Sequence, residues 1–432
     1  MHVSAATSRH LLTKFIALGL ILGVAVGYLC NHLAASPEQA KVIAGYFSVV
    51  TDIFLRLIKM IIAPLVFATI VAGITSLGEP KAVGRIAVKA LSWFVTASLI
   101  SLGLGMLFAN LFAPGAGMGL SLPAANAATN LQTGGINFKD FITHVFPTSA
   151  AQAMAQNEVL QILVFSMFFG LAISSLKPAK IALATSLIDE LVKIMLRITD
   201  FVMYFAPIGV FAAIAAVITT QGLGVLVTYG KFIGSFYLGL AALWCILLGA
   251  GLLVLGPSVF NLLRLLRQPM LLAFSTASSE AAFPKTFEQM TKYGVNERIT
   301  GFVLPLGYSF NLDGSMMYQA FAGLFIAQAY GVDMGFAQQA ALLLVMMVTS
   351  KGIAGVPRAS LVVVAATLPM FDLPAAGMLL IMGIDQFLDM GRTMTNVIGN
   401  GIATAAIARW EADLQSSADV PDAMPQPAAQ SA

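Results

Sequence analysis

Six long apolar stretches, at about 12–31, 43–77, 84–112, 157–176, 181–218 and 224–256, constrain this 432-residue chain more than any other feature. A helix needs about 20 mostly apolar residues to cross a bilayer. Several of these runs exceed that length, which predicts tilted crossings. Only 10% of the residues are charged and 58% are hydrophobic, whereas roughly a quarter are charged in soluble domains. Those proportions exclude an ordinary soluble enzyme and a disordered chain. The formal net charge of +3 is too small to argue for a nucleic-acid partner. An all-α integral membrane protein is the fold class that remains.

Cys30 and Cys245 sit in separate apolar stretches and give neither a disulfide framework nor metal spacing. His2, His10, His32 and His144 fall in the N-terminal tail or in loops, so no histidine relay is expected inside the membrane. Arg9 and Lys14 before the run from Phe15 to Cys30 imitate a signal peptide, but the many spans behind it favour an uncleaved first helix. Asp52, Arg56 and Lys59 in the second stretch, and Asp189, Glu190, Lys193 and Arg197 in the fifth, share helix faces. They read as ion-paired or snorkelling groups at interfaces. The segment 113–156, rich in Ala, Gly, Asn, Thr and Gln, reads as an exposed external loop.

After residue 256 the pattern changes. Two apolar arms of about 15 residues flank Ser275-Thr276-Ala277-Ser278-Ser279-Glu280 within 258–293, and each is too short to cross alone. A second such hairpin spans 336–371 around Ser350-Lys351-Gly352-Ile353-Ala354-Gly355-Val356-Pro357. Each is followed by a long polar or interrupted helix, at about 297–330 and 375–410, which predicts an inverted repeat of re-entrant hairpin and helix. With the N-terminus inside, thirteen Lys and Arg fall in internal segments against Lys41, Lys139 and Lys231 outside. That satisfies the positive-inside rule only if both hairpins turn back without crossing. The organisation expected is a cytoplasmic tail at 1–11, six membrane helices at 12–256, a functional core at 257–411, and a disordered cytoplasmic tail at 412–432.

Seven charges lie at membrane depth in the last third: Glu280, Asp313, Lys351, Arg358, Asp385, Asp389 and Arg392. Ionisable groups there are costly and mark an ion or substrate pathway by default. Asp385, Asp389, Arg392, Asn396 and Asn400 are spaced by three or four residues along one helical face, with Thr393 one turn after Asp389. An arginine fork suits a carboxylate and a nearby aspartate suits an ammonium group. The alternative is that Asp389 and Arg392 only neutralise each other within the helix. Asn311-Leu312-Asp313-Gly314-Ser315 interrupts the preceding apolar helix. Local unwinding there would free carbonyl oxygens for a hard cation, although a plain kink would leave the same string. At the hairpin tips, each return arm begins with unpaired backbone N–H groups that favour an anion.

Asn311 to Ser315, the tip ending in Ser278-Ser279-Glu280, the tip Gly355-Val356-Pro357 and the run from Asp389 to Asn396 occur in this order. Together they resemble the dicarboxylate and amino acid:cation symporter family over about residues 12–411. The resemblance implies a homotrimer of eight transmembrane helices and two re-entrant hairpins. Helices 1, 2, 4 and 5 would form a scaffold. Helices 3, 6, 7 and 8 with both hairpins would form an elevator-like transport domain. It also implies that Arg392 binds a side-chain carboxylate, Asp389 the α-ammonium, and Asn396 and Thr393 main-chain and carboxylate groups. Ser278 and Ser279 at one tip, with Val356 and Pro357 at the other, would close over the ligand. Gly307, Ser309, Asn311, Asp313, Asp385 and Asn396 would fall in the cation region, with Asn311, Asp313 and Asn396 as sodium ligands.

Departures from the family pattern are informative. Asn400 stands where sodium-coupled members carry an aspartate ligand, and Trp93 and Ala97 flank Thr96 where those members have Tyr and a hydroxyl. Glu280 supplies a titratable acid where a small residue is usual. These changes resemble the proton-coupled glutamate carriers and the C4-dicarboxylate carriers. Arg358, where a glycine is usual, has no assigned role. Independently of the resemblance, Asp313, Asp385, Asp389 and Glu280 outweigh Arg392, so an anionic substrate requires a co-transported cation, H+ or Na+. No cofactor is called for. The function expected is uptake of glutamate or aspartate, favouring protons over sodium, with C4-dicarboxylates as the alternative. An intramembrane aspartyl protease using Asp313 with Asp385 or Asp389, and a passive channel, are weaker readings.

Overall fold

The computed structural model describes residues 5–77, 80–116, 122–123, 143, 145–176, 178–223, 229–350 and 359–414. Among them the chain is helical throughout, with one isolated antiparallel bridge, Val295 to Leu414. The first half comprises α1 (Ala5–Leu33), α2 (Pro37–Leu77), α3 (Pro80–Phe112), α4 (Ala150–Gln156), α5 (Val159–Ser175), α6 (Pro178–Met203), α7 (Ala206–Gln221) and α8 (Gly230–Leu255). The second half follows with α9 (Ser258–Thr276), α10 (Ser279–Tyr293), α11 (Glu297–Phe310), α12 (Asp313–Ala329), α13 (Phe336–Thr349), α14 (Ala359–Thr367), α15 (Leu379–Met382) and α16 (Asp385–Trp410). By length and composition α1, α2, α3 and α8 can each cross a membrane, and α6 with α7 makes a fifth candidate. The chain is thus a helical protein with several membrane-spanning segments.

Close packing in lipid cannot rely on hydrophobic exclusion, so small residues let backbones approach. Gly19, Gly23 and Gly27 form such a stripe on α1. A Cβ at these positions would stand 2.5, 2.7 and 2.8 Å from the carbonyl oxygens of Pro207, Phe211 and Ala215 on α7. The fifth apolar stretch, expected as one unit over 181–218, is instead split into α6 and α7 with a 54° bend. Pro207 near the start of α7 lacks the N–H that would continue the ladder.

The second half carries the polar residues. α9 and α10 form the first hairpin, turning at Ala277 in the left-handed region (φ +49°). α13 and α14 pack against each other. The second hairpin tip expected between them, with Lys351, Val356, Pro357 and Arg358, lies outside the described residues. α11 gives way to α12 at Asn311 and Leu312, where the sequence predicted a break. The final helix expected over 375–410 is shorter: a 3-10 turn (Ala375–Met378) and α15 precede α16, which starts only at Asp385. α16 is surrounded by α3, α8, α9, α10, α11 and α12 and is buried along most of its length. The hydroxyl of Tyr237 on α8 donates to the Phe387 carbonyl (2.6 Å), and the indole of Trp244 donates to Thr395 Oγ1 (2.8 Å), fixing the rotation of α16.

Two further expectations change, at the 113–156 loop and at the C-terminal tail. Ala150–Gln156, read as part of a loop, is a helix whose N-cap Ser149 accepts from the Gln152 amide. The residues 124–142 of that loop, with Lys139 and Asp140, lie outside the described set. Lys285 is buried in α10 because it and Lys292 both pair with Glu288, one turn away. The tail was expected to be disordered from Ala412, yet Arg298 Nε donates to Asp413 Oδ2 (2.8 Å) and Leu414 bridges to Val295. Residues 415–432 lie outside the described set.

At the same end, Glu411 pairs with Arg85 (2.6 Å) and Lys89 (2.5 Å), and Trp410 packs edge-on against Trp93 at 5.6 Å. Hydrogen bonds from Arg85, and from Lys89, hold the Glu411 carboxyl below its ordinary pKa. A depressed folded-state pKa gives stability above the unfolded value, about 4.3, that is lost as pH falls through the folded one. Arg85 is largely exposed, so the effect should stay below about 1 kcal/mol. Thermal unfolding followed from pH 7 to pH 3 should therefore show an acid-side loss that Glu411→Gln reduces. Identical profiles would remove this anchor from the account.

Candidate functional site

Unwinding at Asn311 and Leu312 lets α12 begin deep inside the protein, with its first N–H groups facing α16. Asn396 answers them. Its Oδ1 accepts from the amides of Gly314 (2.9 Å) and Ser315 (3.4 Å), and its Nδ2 donates to Ser315 Oγ (3.1 Å). This amide acts as a cap supplied from another helix, satisfying donors that would otherwise be orphaned in a dry interior. Gly314 permits the approach, because a Cβ there would collide with the Arg392 backbone.

Beside this junction lies a cavity of about 370 Å³. Arg392, Asp389, Thr393 and Asn396 line it from α16, and Ser278, Ser279 and Glu280 from the first hairpin tip. Ser309, Leu312, Ser315 and Gln319 contribute from α11, α12 and the junction between them. Ser278 also caps α10, accepting from the Ala281 amide at 3.2 Å. Lys59 and Leu55 of α2 close one side. Lys59 was read as a member of an ion-paired helix face. It falls here because the long α2 packs along α10 and α11, opposite the hairpin tip.

Charges sort into two groups. In the first, Arg392 is 3% exposed and its Nε donates to Asp389 Oδ1 (2.7 Å). Its Nη1 stands 3.7 Å from Asp385 Oδ1 and makes no hydrogen bond. The guanidinium lies over the Tyr318 ring at 4.5 Å, and the Tyr318 hydroxyl donates to Asp385 Oδ1 (2.9 Å). Thr393 Oγ1 also donates to Asp389 Oδ1 (2.7 Å). The intrahelical Asp389–Arg392 pair, offered above as the alternative to a binding role, thus exists. Arg392 nonetheless lines the cavity and its Nη1, beside Asp385, makes no hydrogen bond, so the pair does not use the whole guanidinium.

In the second group, Asn311 Nδ2 donates to Asp313 Oδ2 (3.3 Å) and to Asn400 Oδ1 (3.5 Å), while Asn400 Nδ2 donates to the Asn311 carbonyl (3.3 Å). Asn311 and Asp313 are fully buried, and Asn311 Oδ1 has no hydrogen-bond partner. Gly307 and Gly399 make room, since Cβ atoms there would strike the Asn400 amide and the Asp313 carboxylate. A buried carboxylate beside an unbonded amide oxygen is a donor set suited to a hard cation. The Asn400 amide works against this by placing N–H on the Asn311 carbonyl, which an aspartate could not do. Asp385, expected in the cation region, sits instead with Tyr318 and Arg392. Val356 and Pro357 lie outside the described residues.

Tyr318, Gln319, Ser315, Lys59 and Ser360 were not singled out as site residues. Ser315 and Gln319 are four apart, so projecting α12 from its true start at Asp313 would have put both on the cavity face. Gln319 is 2% exposed and its Oε1 has no partner. Nothing local in the sequence marks Ser360.

A sequence profile described as "Sodium:dicarboxylate symporter family" matches residues 12–410. The chain is 39% identical over 404 residues to a "Proton/glutamate-aspartate symporter" of Escherichia coli (strain K12), covering 92% of each chain. It is 38% identical over 405 residues to a "Proton/sodium-glutamate symport protein" of Bacillus caldotenax, covering 92% of this chain and 93% of that one. A "C4-dicarboxylate transport protein" of Anaeromyxobacter sp. (strain K) is 37% identical over 412 residues, covering 94% of this chain and 92% of that one.

Proposed function

The chain belongs to the sodium:dicarboxylate symporter family, and from that premise we propose that it takes up glutamate or aspartate together with protons. The protein is a membrane symporter rather than an enzyme. The observation that carries the substrate reading is Arg392, buried at the cavity with Nη1 unbonded and Nε on Asp389. An acidic amino acid brings both a carboxylate and an ammonium. It therefore satisfies Arg392 and Asp389 together as it loosens their mutual bond, without stranding either buried charge. A C4-dicarboxylate satisfies the arginine but sets its second carboxylate against Asp389. It stands as the second reading because relatives named as C4-dicarboxylate transport proteins match almost as well, over 94% and 92% of the chain.

Proton coupling is favoured by Asn400, whose amide occupies the Asn311 carbonyl, and by Glu280, an acid that lines the cavity at the hairpin tip. In this reading the assembly is a homotrimer of eight transmembrane helices and two re-entrant hairpins related as inverted repeats. Helices 1, 2, 4 and 5 form the scaffold, and the rest moves as an elevator. The basic excess in internal segments supports a bacterial inner-membrane protein with both termini cytoplasmic.

Labelled aspartate and succinate uptake into proteoliposomes, with sodium removed and an inward proton gradient imposed, tests substrate and ion together. Aspartate should accumulate and succinate should not; no uptake without sodium overturns proton coupling. Asp389→Ser should lower aspartate uptake by roughly 10- to 100-fold, as expected for one charge-assisted bond. Unchanged aspartate transport in that variant would sink the ammonium assignment.

A further inference from the structure

A second cavity, of about 430 Å³, opens between α8, α9 and α16, away from the substrate cavity. Its walls are Trp244 and Leu248 from α8, Phe260, Leu263 and Met270 from α9, and Ile398 from α16. Arg264 and Arg267 complete the lining and are its only charged members among the described residues. Of its apolar lining, Phe260 is 57% exposed.

The two arginines are three residues apart on one helix, and Arg267 Nε donates to the Arg264 carbonyl (2.9 Å), which keeps both on the same turn. Among the described residues neither has a salt-bridge partner, although Arg85, Arg197, Arg298 and Arg392 all do. Like charges at this spacing repel. Their cost is recovered by an anion placed between them, and an apolar groove beside them selects an anion with a hydrocarbon chain. Both arginines also belong to the internal segments that carry the basic excess, the level at which acidic headgroups and basic side chains meet.

We propose that this groove binds one anionic phospholipid, its acyl chain on the apolar walls and its phosphodiester on Arg264 and Arg267. The site touches α16, the helix that carries Arg392 and Asn396. Trp244 forms part of the wall and donates to Thr395, next to Asn396, and Ile398 lies one turn from Met394 on the same helix.

Native mass spectrometry of the purified full-length protein, incubated with equal phosphatidylglycerol and phosphatidylcholine of matched chains, tests the site. The unmodified protein should retain phosphatidylglycerol in roughly 10- to 30-fold excess, the order expected for two arginines near an anionic surface. The excess should vanish in the Arg264→Gln, Arg267→Gln double variant. It should also fall in Leu263→Trp, which fills the groove and keeps both charges. An undiminished preference in either variant overturns the proposal. So does displacement of the lipid by millimolar inorganic phosphate, which would mean a bare anion site. If the double variant does not fold, Leu263→Trp and the phosphate competition decide alone.

Discussion

Replacing Arg392 with alanine is expected to lower acidic amino acid uptake by roughly 10²- to 10³-fold, the loss that follows from deleting one member of a buried charge cluster. Two effects add. The substrate carboxylate loses its cation, and Asp385 and Asp389, which stand 3.7 and 2.7 Å from the guanidinium, lose the charge that compensates them. Arg392→Lys separates the two. A lysine keeps the charge but cannot reach Asp389 with one nitrogen while presenting another to the cavity. It should therefore restore folding and surface abundance but not affinity. Labelled aspartate uptake, normalised to transporter abundance, gives the measurement. Near-normal uptake by Arg392→Lys would show that charge alone, without the fork, defines the site.

Gly399→Ala should be nearly as damaging for a different reason. Inside a helix, glycine to alanine ordinarily stabilises by about 0.5–1 kcal/mol. Here the new methyl would fall on the Asp313 carboxylate, with Asn311 Nδ2 only 3.4 Å away. Neither can yield, since both are fully buried and bonded to each other across the α11–α12 break. We expect a loss of about 1–3 kcal/mol from overpacking, together with at least a tenfold fall in uptake, because α12 could no longer seat against α16. Gly249→Ala on α8, where a Cβ meets nothing within 4 Å, is the control and should be neutral or stabilising. If the two variants unfold at the same temperature and transport equally, the Asp313 contact does not constrain the packing.

Elements set by local chemistry were readable in advance. The break at Asn311 and Leu312 was legible because glycine and short polar side chains in an apolar run favour unwinding whatever surrounds them. The stripe from Asp385 to Asn400 was legible from spacing alone. The late start of α16 was not, because Leu368 to Ile384 is apolar enough to pass for helix and its 3-10 turns are settled by packing. The split between α6 and α7 lies within a stretch apolar enough for one span, and its local signal is Pro207. Asp413 was assigned to a disordered tail by composition, yet Arg298, 115 residues earlier, holds it.

What the sequence determined by itself is that this chain enters a membrane and keeps its costly charges in one stretch. Burial of ionisable groups is expensive wherever it occurs, so the position of those few residues already carries the cost. Only the tertiary structure decided which groups meet. Tyr318 from α12 joins Asp385 and Arg392, Asn396 caps a helix other than its own, and Lys59 crosses from α2 to the cavity. Periodicity assigns a residue to a face of its own helix, but the partner across the gap depends on how two helices are rotated against each other. That rotation is set by the summed fit of glycines, carbonyls and side chains along their whole contact.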